Sequence, residues 1–246
     1  MAKPNVPISI TDMKFSIEDI EDFLRGAPPD QKLSIEYPAK YIQLGNGEKA
    51  IIRQAKLEDA PAILETLKVL IDHKYDRDFY HLVGVRTYSE VLAWTQNRIK
   101  DSRTLVATNE SGELMALVNW RMWNAQIAIS LHTMTFKRKA GLGIAAYAAK
   151  IEDAFDYLNS QEWWATFESP FGFRMGFRFV HEQKPWPEMQ HELGGSRIYY
   201  LTKDHWDRIV KPKLMQRGTF GERPVSKEAL AATYPLKPTE TLEIDL

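Results

Sequence analysis

The sequence predicts an α+β fold in which a mixed, mostly antiparallel central sheet is flanked by helices. Three strand-like segments follow one another between residues 104 and 136 with turn residues between them, which is typical of an antiparallel meander. A short loop with two glycines then leads into a stretch in which apolar residues recur every three or four positions, from Ile144 to Leu158. The complete predicted order is strand, helix, helix, three strands, helix, strand, a short helical turn and two strands.

Composition restricts the classes of protein that this chain can belong to. Hydrophobic residues make up 44% and charged residues 26% of its 246 residues, which provides enough apolar material for a core. The net charge of −1 disfavours a general nucleic-acid role. The absence of Cys excludes disulfides, thiolate metal sites and Cys nucleophiles, and the six His residues show no metal-ligand spacing. No apolar run has membrane-spanning length and no signal segment is evident, so we expect a cytoplasmic protein without a membrane or metal partner.

Three regions are predicted along the chain. Residues 1–40 form an N-terminal extension in which a short helix is expected over 16–26, with an apolar face that packs on the core or on a second subunit of a homodimer. Residues 41–203 form the main domain, and residues 204–246 form a C-terminal extension. Within the main domain, Thr87 and Glu90 have the spacing of a capping box and predict the start of a helix that runs to about Lys100.

The loop before the long helix carries an unusual charge pattern. Lys137, Arg138 and Lys139 stand at the start of the helix, where the helix dipole disfavours cations. The conflict disappears if an anion binds there, because Gly141 and Gly143 let the backbone N–H groups of the first turn approach it closely. The alternative is a solvated basic corner whose glycines only make a turn.

The residues from Arg138 to Gly143 fit the pattern Arg/Gln-x-x-Gly-x-Gly/Ala, which resembles the pyrophosphate loop of the GNAT superfamily of acyl-CoA-dependent N-acyltransferases. The motif is neither the Gly-x-Gly-x-x-Gly of dinucleotide-binding proteins nor a P-loop. Two further segments resemble the same family. They are the Arg-x-Ala and Glu-Asp-Ala at residues 53–60, and the late Gly-Phe at residues 176–177, which in the family opens a strand, here expected over 177–183.

The resemblance, which covers residues 41–203, implies a reaction, a co-substrate and a set of binding residues. The protein would move an acetyl or other acyl group from acetyl-CoA or a related acyl-CoA to the amine of a small molecule or protein, without a covalent enzyme intermediate. The pantetheine arm would lie along the backbone of Leu131, His132 and Thr133. The pyrophosphate would bind to the loop and first helical turn: Arg138, Lys139, Ala140, Gly141, Leu142, Gly143 and Ile144.

The general base of the family is often a Glu on the strand before the loop or on the strand after the helix. The strand before the loop offers no carboxylate. The strand after the helix is expected to end in Glu168, which is the first candidate base. Alternatively, Glu168 is only a solvated residue at the end of that strand. His132 is the second candidate, because a neutral imidazole accepts a proton near neutral pH. Alternatively, His132 is a hydrogen-bonded residue of the core.

The chain departs from the family at one position. A Tyr that protonates the departing thiolate usually stands four residues before the late Gly-Phe, and Gly172 occupies that position here. Either Tyr147, Tyr199 or Tyr200 replaces it, or the thiolate leaves without help, or the domain binds acyl-CoA without turning it over. Two alternatives to the enzyme therefore stay open: a non-catalytic acyl-CoA-binding or regulatory module, and an oligomer-forming interaction protein that kept only the fold.

Overall fold

The computed structural model describes residues 33–71, 80–99, 102–137, 141–167, 170–179, 182–183 and 198–243. The chain begins with a hairpin of strands β1 (Lys40–Gln43) and β2 (Lys49–Gln54). A 3₁₀ turn (Leu57–Asp59) then leads into the two helices α1 (Ala60–Leu70) and α2 (Tyr80–Thr95). Three long strands follow: β3 (Ser102–Thr108), β4 (Leu114–Met122) and β5 (Ile127–Thr135).

The second half begins with helix α3 (Leu142–Glu152), which continues as a π-helical turn (Asp153–Tyr157). The next elements are β6 (Glu162–Ala165), α4 (Pro170–Phe179), β7 (Glu182–Gln183) and β8 (Tyr199–Thr202). The C-terminal segment contains α5 (Lys203–His205), a π-helical turn (Trp206–Val210), α6 (Lys211–Gln216) and α7 (Lys227–Ala232).

The described strands form one eight-stranded sheet in the order β1-β2-β3-β4-β5-β6-β8-β7. Neighbouring strands are antiparallel except β5 and β6, which are parallel. This parallel contact is short, because only Ile127–Ile129 of β5 align with β6. Beyond Ile129, the described residues give β5 no strand partner on this side. The sheet therefore opens into a split between β5 and β6.

Helices cover both faces of the sheet. Ile63 and Leu67 of α1 pack with Leu117 of β4 on one face. Helix α3 lies on the other face, where small side chains such as Ala145 and Ala149 bring it close to the strands. Ten of the eleven residues of α3 are buried, so this helix is enclosed rather than amphipathic at the surface.

A β-bulge interrupts the ladder between β4 and β5. At this point Asn119 of β4 stands opposite two residues of β5, Leu131 and His132. A bulge changes the alternation of side chains between the two faces. Ser130 faces α3, where it contacts a lysine of that helix, whereas His132 and Met134 face α2. The bulge therefore places the His132 side chain on the face that α2 covers.

Carboxylates at the C-terminal end of α3 tie both chain extensions to this helix. Glu152 accepts hydrogen bonds from Lys40 at 2.7 Å and from Arg223 at 2.8 Å. Asp153 forms a bidentate pair with Arg103 at 3.0 and 2.6 Å. Carboxylates at this end oppose the helix dipole, and these cations offset the cost. The helix that follows the glycine loop is thereby fixed at its far end.

The C-terminal segment returns across the domain and reaches the start of the glycine loop. Arg53 of the family-like opening motif binds Asp59 at 2.7 and 2.9 Å and also donates to the Thr233 hydroxyl and carbonyl, both at 2.9 Å. Further along, the Glu243 amide donates to the Phe136 carbonyl at 2.8 Å. Residues 204–243 are therefore in direct contact with the main sheet and with the end of β5.

The predicted fold class is confirmed, and two predicted elements are wrong in detail. Helix α2 begins at Tyr80, so Thr87 does not start a helix but bonds back to the Val83 carbonyl at 2.8 Å, as Thr does in helix interiors. Residues 177–179 belong to α4 and not to a strand, because Met175 and Phe179 at i and i+4 turn into the core. Only Glu182–Gln183 pair as β7. The predicted N-terminal helix over 16–26 lies outside the described residues.

Candidate active site at the split between two strands

The N-terminus of α3 has the geometry expected of an anion site as far as it is described. Gly141 is the N-cap residue and has φ +91°, in the left-handed region that favours glycine. No side chain caps the helix, and no acidic residue lies in its first turn. The first amide N–H groups of a helix, here from Leu142, Gly143 and Ile144, have no acceptor within the helix. Arg138, Lys139 and Ala140 lie outside the described residues.

Lys137 does not belong to a solvated basic corner. Its side chain is 12% exposed, and its amine lies 3.2 Å from Glu113 and 3.6 Å from Glu243. The first of the three cations is therefore already paired with carboxylates. A bound anion at the helix N-terminus would depend on the two cations that follow and on the backbone.

Leu131, His132 and Thr133 lie on β5 beyond its last contact with β6, along the split. The His132 amide and carbonyl both have partners inside the protein, Asn119 Oδ1 and the amine of Lys150. The Thr133 hydroxyl oxygen is buried and has no hydrogen-bond partner in the described part of the chain. Because a buried hydroxyl without a partner is costly, Thr133 is the residue of this trio whose side chain most needs a ligand.

A carboxylate on α2 orients the imidazole of His132. His132 is 5% exposed, and its Nε2 lies 3.0 Å from Glu90 Oε1. The other Glu90 oxygen accepts a bond of 2.6 Å from Asn119 Nδ2, and Asn119 Oδ1 accepts the His132 amide at 2.8 Å. Side chain and backbone of His132 are thus held by one closed network of three residues.

The charge state of Glu90 fixes the tautomer of this network. Burial raises the pKa of Glu90, but the contacts of His132, Asn119 and Arg121 outweigh it and hold the pKa below its ordinary value. Glu90 is therefore ionised at neutral pH and only accepts hydrogen bonds. It follows that Nε2 of His132 is the donor to Glu90, so that in a neutral imidazole the free lone pair is on Nδ1.

The three tyrosines considered as proton donors lie in different surroundings. Tyr147 of α3 is buried, and its hydroxyl accepts a bond of 3.2 Å from Trp163 Nε1. Burial raises the pKa of Tyr147 well above its ordinary value, which makes it a poor acid for a thiolate. Tyr200 donates to Glu182 at 2.9 Å, and Tyr199 packs its ring on Phe167. Gly172 lies within α4.

Sequence reasoning placed two candidate bases, and the structure locates one of them. His132 is in the described site, whereas Glu168 lies outside the described residues, directly after Phe167. The reasoning missed Glu90, because the spacing from Thr87 suggested a helix cap, and it missed Asn119 and Lys150, which lie apart in sequence from the residue they bind. No local signal marks the last two, since their contacts exist only in the folded chain.

Two kinds of feature are absent from the described ranges. No group of three or more His, Cys, Asp or Glu side chains in these ranges could hold a metal ion. No helix within them is long and apolar enough to span a bilayer.

Solved structures with the same architecture identify the fold. No family model matches the chain, and no curated protein matches it in sequence. The GNAT domain of S. lividans PAT has a TM-score of 0.50 and 18% identity, covering 68% of this chain and 99% of that one. Mycobacterium smegmatis RimJ in complex with CoA-disulfide has a TM-score of 0.51 and 11% identity, covering 74% and 93%. An uncharacterized protein from Bacillus halodurans has a TM-score of 0.52 and 9% identity, covering 74% and 99%.

The chain therefore has the fold of the GNAT superfamily. The resemblance that three short motifs indicate is confirmed at the level of the fold.

Proposed function

We propose that the protein is an N-acyltransferase that moves an acetyl or other acyl group from acyl-CoA to an amine by direct attack. The observation that carries the proposal is the split between β5 and β6, which lies beside a helix whose N-terminus has neither a side-chain cap nor an acidic residue. An anionic, elongated co-substrate fits this arrangement. Its pyrophosphate would bind at Gly141–Ile144 with Arg138 and Lys139, and its arm would follow Leu131–Thr133 along β5.

The reaction requires few groups from the protein. The amine nitrogen attacks the thioester carbonyl carbon, a C–N bond forms, and the C–S bond breaks with its electron pair leaving on sulfur. The nitrogen gives its proton to a base, and the thiolate leaves as such or takes a proton from solvent. Amine deprotonation is the step for which the chain offers identified candidates.

Two residues are proposed as the base, and the described geometry supports His132. Its ring is oriented by ionised Glu90, so that the free lone pair is on Nδ1. Glu168, which follows the last residue of β6 by three positions in the sequence, is the second candidate. The acceptor amine would approach from the face that α2 covers, where His132 lies, and it belongs to a small molecule or a protein.

Conservative substitutions separate the two candidates. His132→Gln and Glu168→Gln each remove basicity while keeping a polar side chain, and removal of the true base should lower turnover by roughly 10²–10⁴-fold. Acyl-CoA affinity should stay unchanged in both variants, because the pyrophosphate loop lies elsewhere. Release of free CoA thiol from acetyl-CoA with a panel of amines measures turnover. Full activity of both variants at neutral pH would show that neither residue is the base.

A second candidate function is a non-catalytic acyl-CoA-binding or regulatory module. Gly172 at the position of the usual Tyr, together with the raised pKa of buried Tyr147, favours it, because neither residue donates a proton readily. The same assays distinguish the functions. A protein that binds acyl-CoA but acylates no amine, even at a pH at which the amine is unprotonated, is a binding module.

A further inference from the structure

At the bulge, backbone N–H and C=O groups lack the hydrogen bonds of the strand ladder, and side chains form hydrogen bonds with them instead. The His132 amide donates to the Asn119 side chain at 2.8 Å instead of to a strand carbonyl. The His132 carbonyl accepts a bond of 3.0 Å from the Lys150 amine, which also lies 3.5 Å from the Asn119 carbonyl. Because a buried carbonyl without a donor costs free energy, the bulge depends on a donor at this place.

Lys150 is an unusual residue to find there. Its side chain is fully buried in α3, and its third partner is the Ser130 hydroxyl at 2.8 Å. No carboxylate of the described residues pairs with it, whereas Lys40, which is equally buried, pairs with Glu152 at 2.7 Å. Burying an amine without a counter-ion is costly, so its presence requires a compensating contact. The two backbone carbonyls of the bulge, together with the Ser130 hydroxyl, supply that contact.

Residues on both faces of the sheet bind His132 at the bulge. On the α2 face, Glu90 holds the His132 ring and Asn119 holds its amide. On the α3 face, Lys150 holds the carbonyl of the same residue. Backbone and ring of His132 are therefore fixed from opposite sides of the sheet. Loss of the hold on the carbonyl would let this peptide rotate or slip in register, and a slip by one residue reverses the face of the side chain.

We propose that Lys150 is a positioning residue: from the α3 face it fixes the bulge, and thereby the orientation in which His132 meets Glu90 on the α2 face. The role in catalysis rests on the proposed acyl transfer with His132 as base. The positioning itself is a property of the folded chain and is measurable without any substrate.

Lys150→Met tests the inference, because it keeps length and volume, removes the donor and leaves no buried charge. Lys40→Met is the matched control, since it removes an equally buried lysine whose amine binds Glu152 and not the backbone of the bulge. The readout is the imidazole ¹⁵N spectrum of histidine-labelled protein, in which the His132 signal is the one absent from His132→Gln. Lys150→Leu, which also removes the donor and the charge, is the second variant in case Lys150→Met does not fold.

Lys150→Met should shift or broaden the hydrogen-bonded Nε2–H signal of His132, and Lys40→Met should leave it in place. In acyl transfer, Lys150→Met should lower kcat by roughly tenfold to a hundredfold, the effect of a misplaced catalytic group, with KM for acyl-CoA within about twofold. An unchanged His132 signal in folded Lys150→Met, or in Lys150→Leu if only that variant folds, overturns the inference. If the signal responds but the wild type acylates no amine, the positioning stands and the proposed function fails. If the wild type is active and the signal does not respond, only the positioning fails.

Discussion

Removal of Lys150 should change how the stability of the protein depends on pH. Burial lowers the pKa of Lys150 well below its ordinary value. In the interval between this folded pKa and the unfolded value of about 10.4, the unfolded chain binds the proton and the native chain does not. Stability therefore rises with pH across this interval, because the unfolded state binds more protons. Below the folded pKa, both states carry the proton and the contribution is constant.

The expected slope of the free energy of unfolding against pH is that of a single group that binds one proton. The free energy of unfolding of the wild type, relative to Lys150→Met, should increase by up to about 1.4 kcal/mol per pH unit within the interval. Lys150→Met has no titrating amine, so other groups cancel in the difference. Lys40 provides a calibration. Burial lowers its pKa to about 8 although Glu152 acts in the opposite direction, so the difference between wild type and Lys40→Met should begin to rise near pH 8.

Urea denaturation of the three proteins between about pH 6 and pH 10, followed by circular dichroism, measures these differences. The account predicts that the Lys150 difference begins to rise at a lower pH than the Lys40 difference, since Lys150 has no carboxylate to retain its proton. A Lys150 difference that stays flat up to pH 10 would show that the amine remains charged in the fold. The reasoning that burial without a counter-ion lowers the pKa of Lys150 would then be wrong.

Three further outcomes are expected. Glu152→Gln leaves Lys40 and Arg223 without their carboxylate and should lower the free energy of unfolding by about 3–5 kcal/mol; a loss below about 1 kcal/mol in urea denaturation would show that these cations find other partners. Gly141→Ala should cost about 1–2 kcal/mol, because φ is +91° although a Cβ there meets nothing within 4 Å, and an unchanged melting midpoint would contradict the described loop geometry. Deleting residues 1–40 should destabilise the protein, since Tyr37 and Lys40 are buried against Glu152. Deleting residues 1–32 alone tests whether the outer part of the extension packs on the core or on a second subunit, and sedimentation and thermal melting measure the two cases.

The elements that could be predicted from sequence are those with a local signal. The meander was predictable because turn residues separate alternating segments, and the start of α3 beside Gly141 was predictable from the glycines and the helical spacing that follows. Strand β5 also has the predicted bounds to within one residue at each end, Ile127–Thr135 against 126–136. These patterns depend on spacing, which the chain keeps whatever its tertiary contacts are.

The network around His132 could not be predicted in this way. Glu90, Asn119 and Lys150 bind one residue from three different elements, and each looks ordinary in its own segment. A lysine in a helix normally indicates a solvated position, but Lys150 is buried because its side chain projects from α3 onto β4 and β5, where it binds Asn119, Ser130 and His132. The bulge that brings the network together depends on the pairing between β4 and β5, and no residue type in the sequence indicates it.

The end of α4 shows the same limit. The Gly-Phe at 176–177 suggested a strand opening by resemblance, but Gly176 is buried in a helix, and a Cβ there would lie 2.6 Å from the Phe167 ring. Close packing of the helix on this ring explains the glycine, and the strand begins only at Glu182.

Binding of acyl-CoA is the measurement that tests the central claim most directly. Titration calorimetry with acetyl-CoA should show one site in the wild type, and ligand at about 100 times its Kd should stabilise the protein by roughly 2.7 kcal/mol. Gly143→Asp adds bulk and negative charge where the phosphates are expected and should abolish both effects while the variant stays folded. Absence of binding by the wild type to acetyl-CoA and to longer acyl-CoAs, or equal binding by folded Gly143→Asp, would contradict the account.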